Sequence, residues 1–185
     1  LLLHTVSAGE PWPIPFVETF PSTTLDMYKW ETAYGITVET NGLNPPTPPY
    51  SANFDGNPSG GDTLTSEMIN LKNETNVLLK FYYQRTGGGD SPESGENVWV
   101  MYLDSADTWH ELYVLYGAGE SMTNFEEVAI QLPAAAMHAG FRFKIYNQAT
   151  TGNFDDWFID DIYVGHPPDY DMVMVPTIQD EFGAN

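Results

Sequence analysis

The chain has 185 residues and no cysteine. That removes disulfides and thiolate metal sites from consideration. Basic residues are few: six in all, Lys29, Lys72, Lys80, Arg85, Arg142 and Lys144, against 26 aspartates and glutamates, for a formal net charge of -20. Such a surface repels phosphodiesters and anionic lipid, so binding to nucleic acid or to a membrane surface is disfavoured. No apolar run approaches the roughly 20 residues needed to cross a bilayer as a helix, so membrane insertion is not expected. There is no HExxH, no GxSxG and no E-x-D-x-x-E, which removes the zincin, nucleophile-elbow and retaining-glycosidase signatures. Amphipathic helical periodicity is also missing, "PAAAMHAG" allowing one or two turns at most.

What remains is rich in apolar and aromatic residues, 42% and 14% of the chain, enough for one domain with a substantial core. Short β-type runs such as "FVETF", "NVLLKFYYQR", "ENVWVMYLDS", "TWHELYVLYG", "GFRFKIYNQ" and "DDWFIDDIYV" alternate with the turn clusters "NGLNPPTPPY", "GNPSGGD" and "TGGGDSPESG". This pattern, without βα alternation, predicts an all-β fold: an antiparallel jelly-roll β-sandwich. It occupies residues 16–165, preceded by a proline-punctuated linker or edge segment (1–15) and followed by a proline-punctuated acidic tail or linker (166–185).

Two strands carry a carboxylate where an apolar side chain is expected. In a strand, alternate residues share a face. Glu18 therefore aligns with Phe16 and Phe20, and Asp160 with Phe158, Ile162 and Val164. A buried, unpaired carboxylate costs several kcal/mol, and bases are scarce. A hard cation bound by oxygens, calcium above all, resolves the conflict if the first and last strands lie side by side. The alternative is that either acid sits at a strand end in solvent.

"FVETFP" and "DDWFIDDIYV" resemble the bracketing strands of MAM-like and reelin-repeat jelly-roll domains. "SANFDGNPSGGDTLTSEMINL" is similar to the segment those families place between them, and "ENVWVMYLDSADTWHEL" to the reelin-type strand, acidic turn and Trp. Cleaved-adhesin modules and calcium-binding carbohydrate-binding modules share the layout. The resemblance implies a structural calcium held by Glu18 and Asp160, with Asp55 and Asp161 contributing.

Catalysis is not expected. "GDS" at Gly89–Ser91 and "DTWH" at Asp107–His110 superficially echo esterase blocks in a β-rich chain, and Glu126–Glu127 and Asp155–Asp156 read as solvated strand ends. Sugars stack on exposed aromatic rings and bond to a few placed polar groups. Trp12 and Trp30 fall outside the clearest strands and Trp109 opens one; these three are the candidate ligand-binding residues. Trp99 is expected in the core beside Met101 and Leu103, and "TGGGDSPESGE" is either a flexible recognition edge or an ordinary variable loop. The expected function is a non-catalytic carbohydrate-binding or adhesion module, secreted or at the cell surface, in a multidomain protein. Its partners are then a polysaccharide or other glycan and the neighbouring domains. The alternative is a calcium-stabilised structural spacer or protein–protein interaction domain without glycan affinity.

Overall fold

The computed structural model describes residues 9–56, 61–148 and 154–168. Residues 1–8 of the expected lead and 169–185 of the expected tail lie outside the described residues. Among the described residues eleven strands form: β1 (Phe16–Glu18), β2 (Trp30–Tyr34), β3 (Thr37–Glu39), β4 (Ser51–Phe54), β5 (Thr63–Ser66), β6 (Leu78–Arg85), β7 (Val98–Leu103), β8 (Trp109–Leu115), β9 (Glu126–Gln131), β10 (Phe143–Asn147) and β11 (Trp157–Gly165). The helical turn expected in "PAAAMHAG" is a short 3-10 helix, Ala134–Ala136. Among the described residues, no helix is long and apolar enough to cross a membrane.

The strands make two antiparallel sheets packed as a sandwich. One has six strands in the order β3-β4-β11-β6-β9, with β1 also on β11; the other has five in the order β2-β5-β10-β7-β8. The first and last strands do lie side by side, Phe16 opposite Val164 and Glu18 opposite Ile162. Alternation explains the packing. In β6, Leu79 and Phe81 turn inward while Lys80 and Tyr82 turn out; in β10, Phe143 and Ile145 turn inward while Lys144 and Tyr146 turn out.

The centre of the core is aromatic. Trp30 meets Phe16 edge-on at 5.8 Å and Phe143 at 5.9 Å, and stacks on Phe20 at 6.5 Å. Edge-to-face contacts of this kind add to the burial itself. Residues 9–15 are tied to the sandwich: the Trp12 N–H donates to Met68 O (2.7 Å), Asn70 N–H donates to Trp12 O (2.8 Å), and the Trp12 ring packs on Phe16 at 6.0 Å.

The outer face of the six-stranded sheet is covered by the proline-rich segment 40–50. Gln84 clasps it with both ends of its carboxamide, Nε2 donating to Leu43 O (2.9 Å) and Oε1 accepting from Leu43 N–H (2.7 Å). Thr47 N–H donates to Asp160 Oδ2 (3.0 Å). The cover explains why Asn53, Gln84, Phe158 and Asp160 are buried although they face away from the core.

Candidate functional site: an aromatic sheet face and the buried carboxylates

On the outer face of the five-stranded sheet, register builds a row of side chains. Tyr34 lies opposite Thr63, Thr63 opposite Tyr146, Tyr146 opposite Trp99, and Trp99 opposite Val114. Cross-strand partners share a face, so these five side chains stand together. The Trp99 and Tyr146 rings stack at 5.4 Å with an interplanar angle of 19°. In the next row Thr65, Lys144, Met101 and Glu111 are partners in turn. The Lys144 ammonium lies 4.4 Å from the Trp109 ring centroid and 5.1 Å from that of Tyr146. Trp99, Tyr146, Trp109 and Lys144 are all partly exposed. Three rings and one cation therefore form a half-solvated platform on a rigid sheet.

Two tryptophans stand where the sequence pattern did not place them. Trp99 is not in the core: Val98, Val100 and Tyr102 face inward, leaving Trp99 and Met101 on the solvent side. Trp30 is not available to a ligand, because it is 1% exposed at the centre of the core. It opens an edge strand whose next two residues are exposed, so its inward turn has no repeating apolar pattern to announce it. Trp12 is half-buried at the rim of the core, its indole N–H donating to Tyr28 O (2.9 Å). Trp109 lies on the platform.

The acids that were expected to hold calcium are placed as follows. Glu18 and Asp160 are both buried, at 2% and 0% exposure, so neither is a solvated strand end. They do not share a face. A bulge between Asp160 and Tyr163, with Asp161 at φ 49°, sets two residues of β11 against one of β6. Ile159, Ile162 and Val164 point into the core, whereas Phe158 and Asp160 point outward under segment 40–50. Glu18 accepts from Phe20 N–H (2.8 Å) and pairs with Lys29 at 3.4 Å. Asp160 accepts from Thr47 and Asp161 N–H (3.0 and 2.8 Å), and Asp161 accepts from the Thr47 hydroxyl. Burial, with further contributions from the charges of Asp161 and Glu18, pushes the Asp160 carboxyl up to about 7.

Asp55 belongs elsewhere. Burial first, then the charges of Asp62, Asp156 and Glu39, push its carboxyl up to about 6. Among the described residues, the three acids whose ligating oxygens converge within 4.8 Å are Glu93, Glu96 and Asp155. No expectation named this group, whose members are far apart in sequence; only the fold brings Asp155 to the 93–96 loop. The Glu93 carboxyl is shifted upward by its hydrogen bond to Glu96.

Asp155 and Asp156 are buried rather than solvated, at 5% and 8% exposure. Asp156 accepts from Asn53 Nδ2 (2.6 Å) and from Asp90 N–H (2.7 Å). The loop beginning "TGGGD" wraps this carboxylate, so its glycines serve close approach: a Cβ on Gly89 would stand 2.2 Å from Asp156 Oδ2, and one on Gly88 would stand 2.9 Å from Asn41 O. Ser91 Oγ bonds to Thr86 and Ser121 hydroxyls (3.0 and 3.1 Å), and His110 Nε2 bonds to Asp104 (2.7 Å). Glu126 and Glu127 accept from Tyr83 and Tyr82 hydroxyls (3.0 and 2.6 Å).

An antiparallel sandwich of this jelly-roll type defines the class of the domain. The family described as Reelin subrepeat B matches residues 49–165, and the chain belongs to it. No curated protein sequence matches the chain. Among solved structures, the K2 cleaved adhesin domain of Lys-gingipain superposes with a TM-score of 0.53 at 15% identity, covering 83% of this chain and 99% of that one. TmCBM61, solved in complex with beta-1,4-galactotriose, gives 0.52 at 15% identity, covering 80% and 94%. The CBM22-1 xylan-binding domain of Xyn10C from Paenibacillus barcinonensis gives 0.50 at 12% identity, covering 85% and 97%. At these identities the likeness is one of fold.

Proposed function

We propose that the domain is a non-catalytic glycan-binding or adhesion module of a secreted or cell-surface multidomain protein, and that its binding face is the solvent side of the five-stranded sheet. The observation that carries this reading is the stacked Trp99–Tyr146 pair with Trp109 across Lys144. Aromatic rings held by a sheet offer their solvent-facing apolar surface to a pyranose at little cost in ordering, with the partly exposed Thr63 on a neighbouring register position as a hydrogen-bonding group. Domains of similar fold, TmCBM61 and a CBM22-1 xylan-binding domain, are described with glycan ligands. The test is retention of the folded domain on a diverse polysaccharide array. One glycan class is expected to hold the wild type and to release Trp99→Ala. Retention of nothing would leave the spacer or protein-docking role instead.

We also propose a structural calcium ion. Its donors here are all oxygens, which suits a hard cation. Glu93, Glu96 and Asp155 fit best, because three carboxylates converge there. Asp160 with Asp161, near Glu18, is the second position, favoured by the cost of ionising the buried Asp160. Millimolar calcium is expected to raise the melting temperature over that in chelator, a hundredfold excess over Kd contributing about 2.7 kcal/mol. Loss of that rise in Glu93→Gln/Glu96→Gln assigns the ion to the loop; loss in Asp160→Asn assigns it to β11. Identical wild-type melts in calcium and chelator contradict the ion altogether.

A further inference from the structure

Lys144 distinguishes the platform from a purely neutral sugar surface. In a chain with 26 acids and six bases, ion pairing is the expected fate of a base. Lys29 pairs with Glu18, Lys80 with Glu127 and Arg142 with Glu31. Arg85 donates to the backbone carbonyls of Glu120 and Tyr116. Neither Lys72 nor Lys144 makes an ion pair with a carboxylate among the described residues; Lys72 is exposed to solvent, whereas Lys144 is half-buried with its ammonium set between aromatic rings. The acid in its own register row is Glu111, two strands away, about 9–10 Å by strand spacing. Burial pulls the lysine pKa below its usual value, so the ammonium has given up part of its hydration without gaining a counter-anion. Ring quadrupoles offset part of that cost; an anion at the same place would offset more.

We infer that the ligand is a glycan carrying isolated anionic groups on a largely neutral backbone, with Lys144 receiving one carboxylate or sulfate while Trp99 and Trp109 take the neighbouring sugar faces. This rests on the glycan-binding reading above and names the substrate class of that site. The spacing of the charges follows from the remainder of the surface. A net charge of -20 opposes a dense polyanion at long range, whereas one anion on a neutral chain is seen mainly by groups within a Debye length of about 8 Å at physiological salt. A sugar without charge needs no cation at the centre of the platform, where a neutral amide or hydroxyl would supply the same hydrogen bonds without the desolvation cost.

The experiment uses paired probes that differ only in charge: glucuronoxylan and its carboxyl-reduced form for the uronate, and a sparsely sulfated galactan with its desulfated form for the sulfate. Wild type is expected to bind the acidic member of one pair about tenfold more tightly than the neutral member. Which pair discriminates identifies the anion. In Lys144→Gln the ratio within that pair falls to about one, and in Lys144→Arg it is retained; thermal melts confirm that each variant is folded. Equal binding of both members by wild type, with Trp99→Ala abolishing it, overturns the anionic class and leaves the platform as a neutral-sugar site. A preference that survives Lys144→Gln assigns the anion to another residue and also overturns the inference. Binding of none of the four probes, together with an empty array, removes the glycan reading itself.

Discussion

Trp30→Ala is expected to lower the unfolding free energy by about 3–5 kcal/mol, the usual cost of emptying a large aromatic site in a packed core. Trp30 is 1% exposed and in ring contact with Phe16, Phe20 and Phe143. These residues come from β1, the segment just after it, and β10, so the cavity would open where both sheets meet the N-terminal strand. For a domain whose stability lies in the ordinary range of about 5–15 kcal/mol, that loss leaves much of the population unfolded on modest warming. Denaturant titration with Trp30→Phe as a partial rescue checks it. A Trp30→Ala protein that melts like wild type would show that the ring does not fill the core.

The second large effect is the pH dependence contributed by Asp160. Its carboxyl, ordinarily near 3.8, is pushed up to about 7 first by burial, with the charges of Asp161 and Glu18 adding to the shift and hydrogen bonds from Thr47 and Asp161 N–H opposing it. The native state therefore holds this proton to higher pH than the unfolded chain. The stability it contributes is complete below about pH 4, is lost as pH rises toward 7, and is absent above that. The whole excursion amounts to about 4 kcal/mol. Self-repulsion of the acidic surface slopes the same way, so the readout is a difference between two curves. In chelator, stability between pH 4 and 7 is expected to fall more steeply in wild type than in Asp160→Asn. The hydrogen bond that asparagine cannot make only offsets its curve. Parallel curves would contradict the buried, proton-holding carboxyl. Calcium that flattens the wild-type curve alone would place the ion at Asp160.

Most of the architecture was legible in the sequence because sandwich strands repeat every two residues and their turns are rich in Gly, Pro, Asn and Asp. Two misplacements have local physical causes. "VWVMYL" is apolar on both faces, so alternation gave the two sets of residues in β7 but not which set faces inward. Bulk favoured Trp99 and Met101, and the fold turns them outward. Period-2 counting through "IDDI" failed because it assumed an unbroken strand. The doublet itself was the available signal, since aspartate tolerates the left-handed conformation that Asp161 adopts in the bulge. The glycines of "TGGGD" permit backbone and carboxylate to approach more closely than a Cβ allows, a role that composition alone does not reveal. Glu18 is buried as its place in an apolar strand implied, whereas Asp160 is buried for a different reason, the cover of segment 40–50 over the outer face, and the convergence of Glu93, Glu96 and Asp155 had no local signature.

A calorimetric titration of the retained glycan into wild type and Trp99→Ala decides whether the outer face of the five-stranded sheet is the binding surface. Trp99 is partly exposed and stacks on Tyr146 outside the core, so the variant is expected to melt close to wild type. Its affinity is expected to fall by about 2 kcal/mol or more, roughly 30-fold, as for an anchoring aromatic residue. Unchanged affinity in a folded Trp99→Ala protein would move the binding surface off this sheet face and contradict the account.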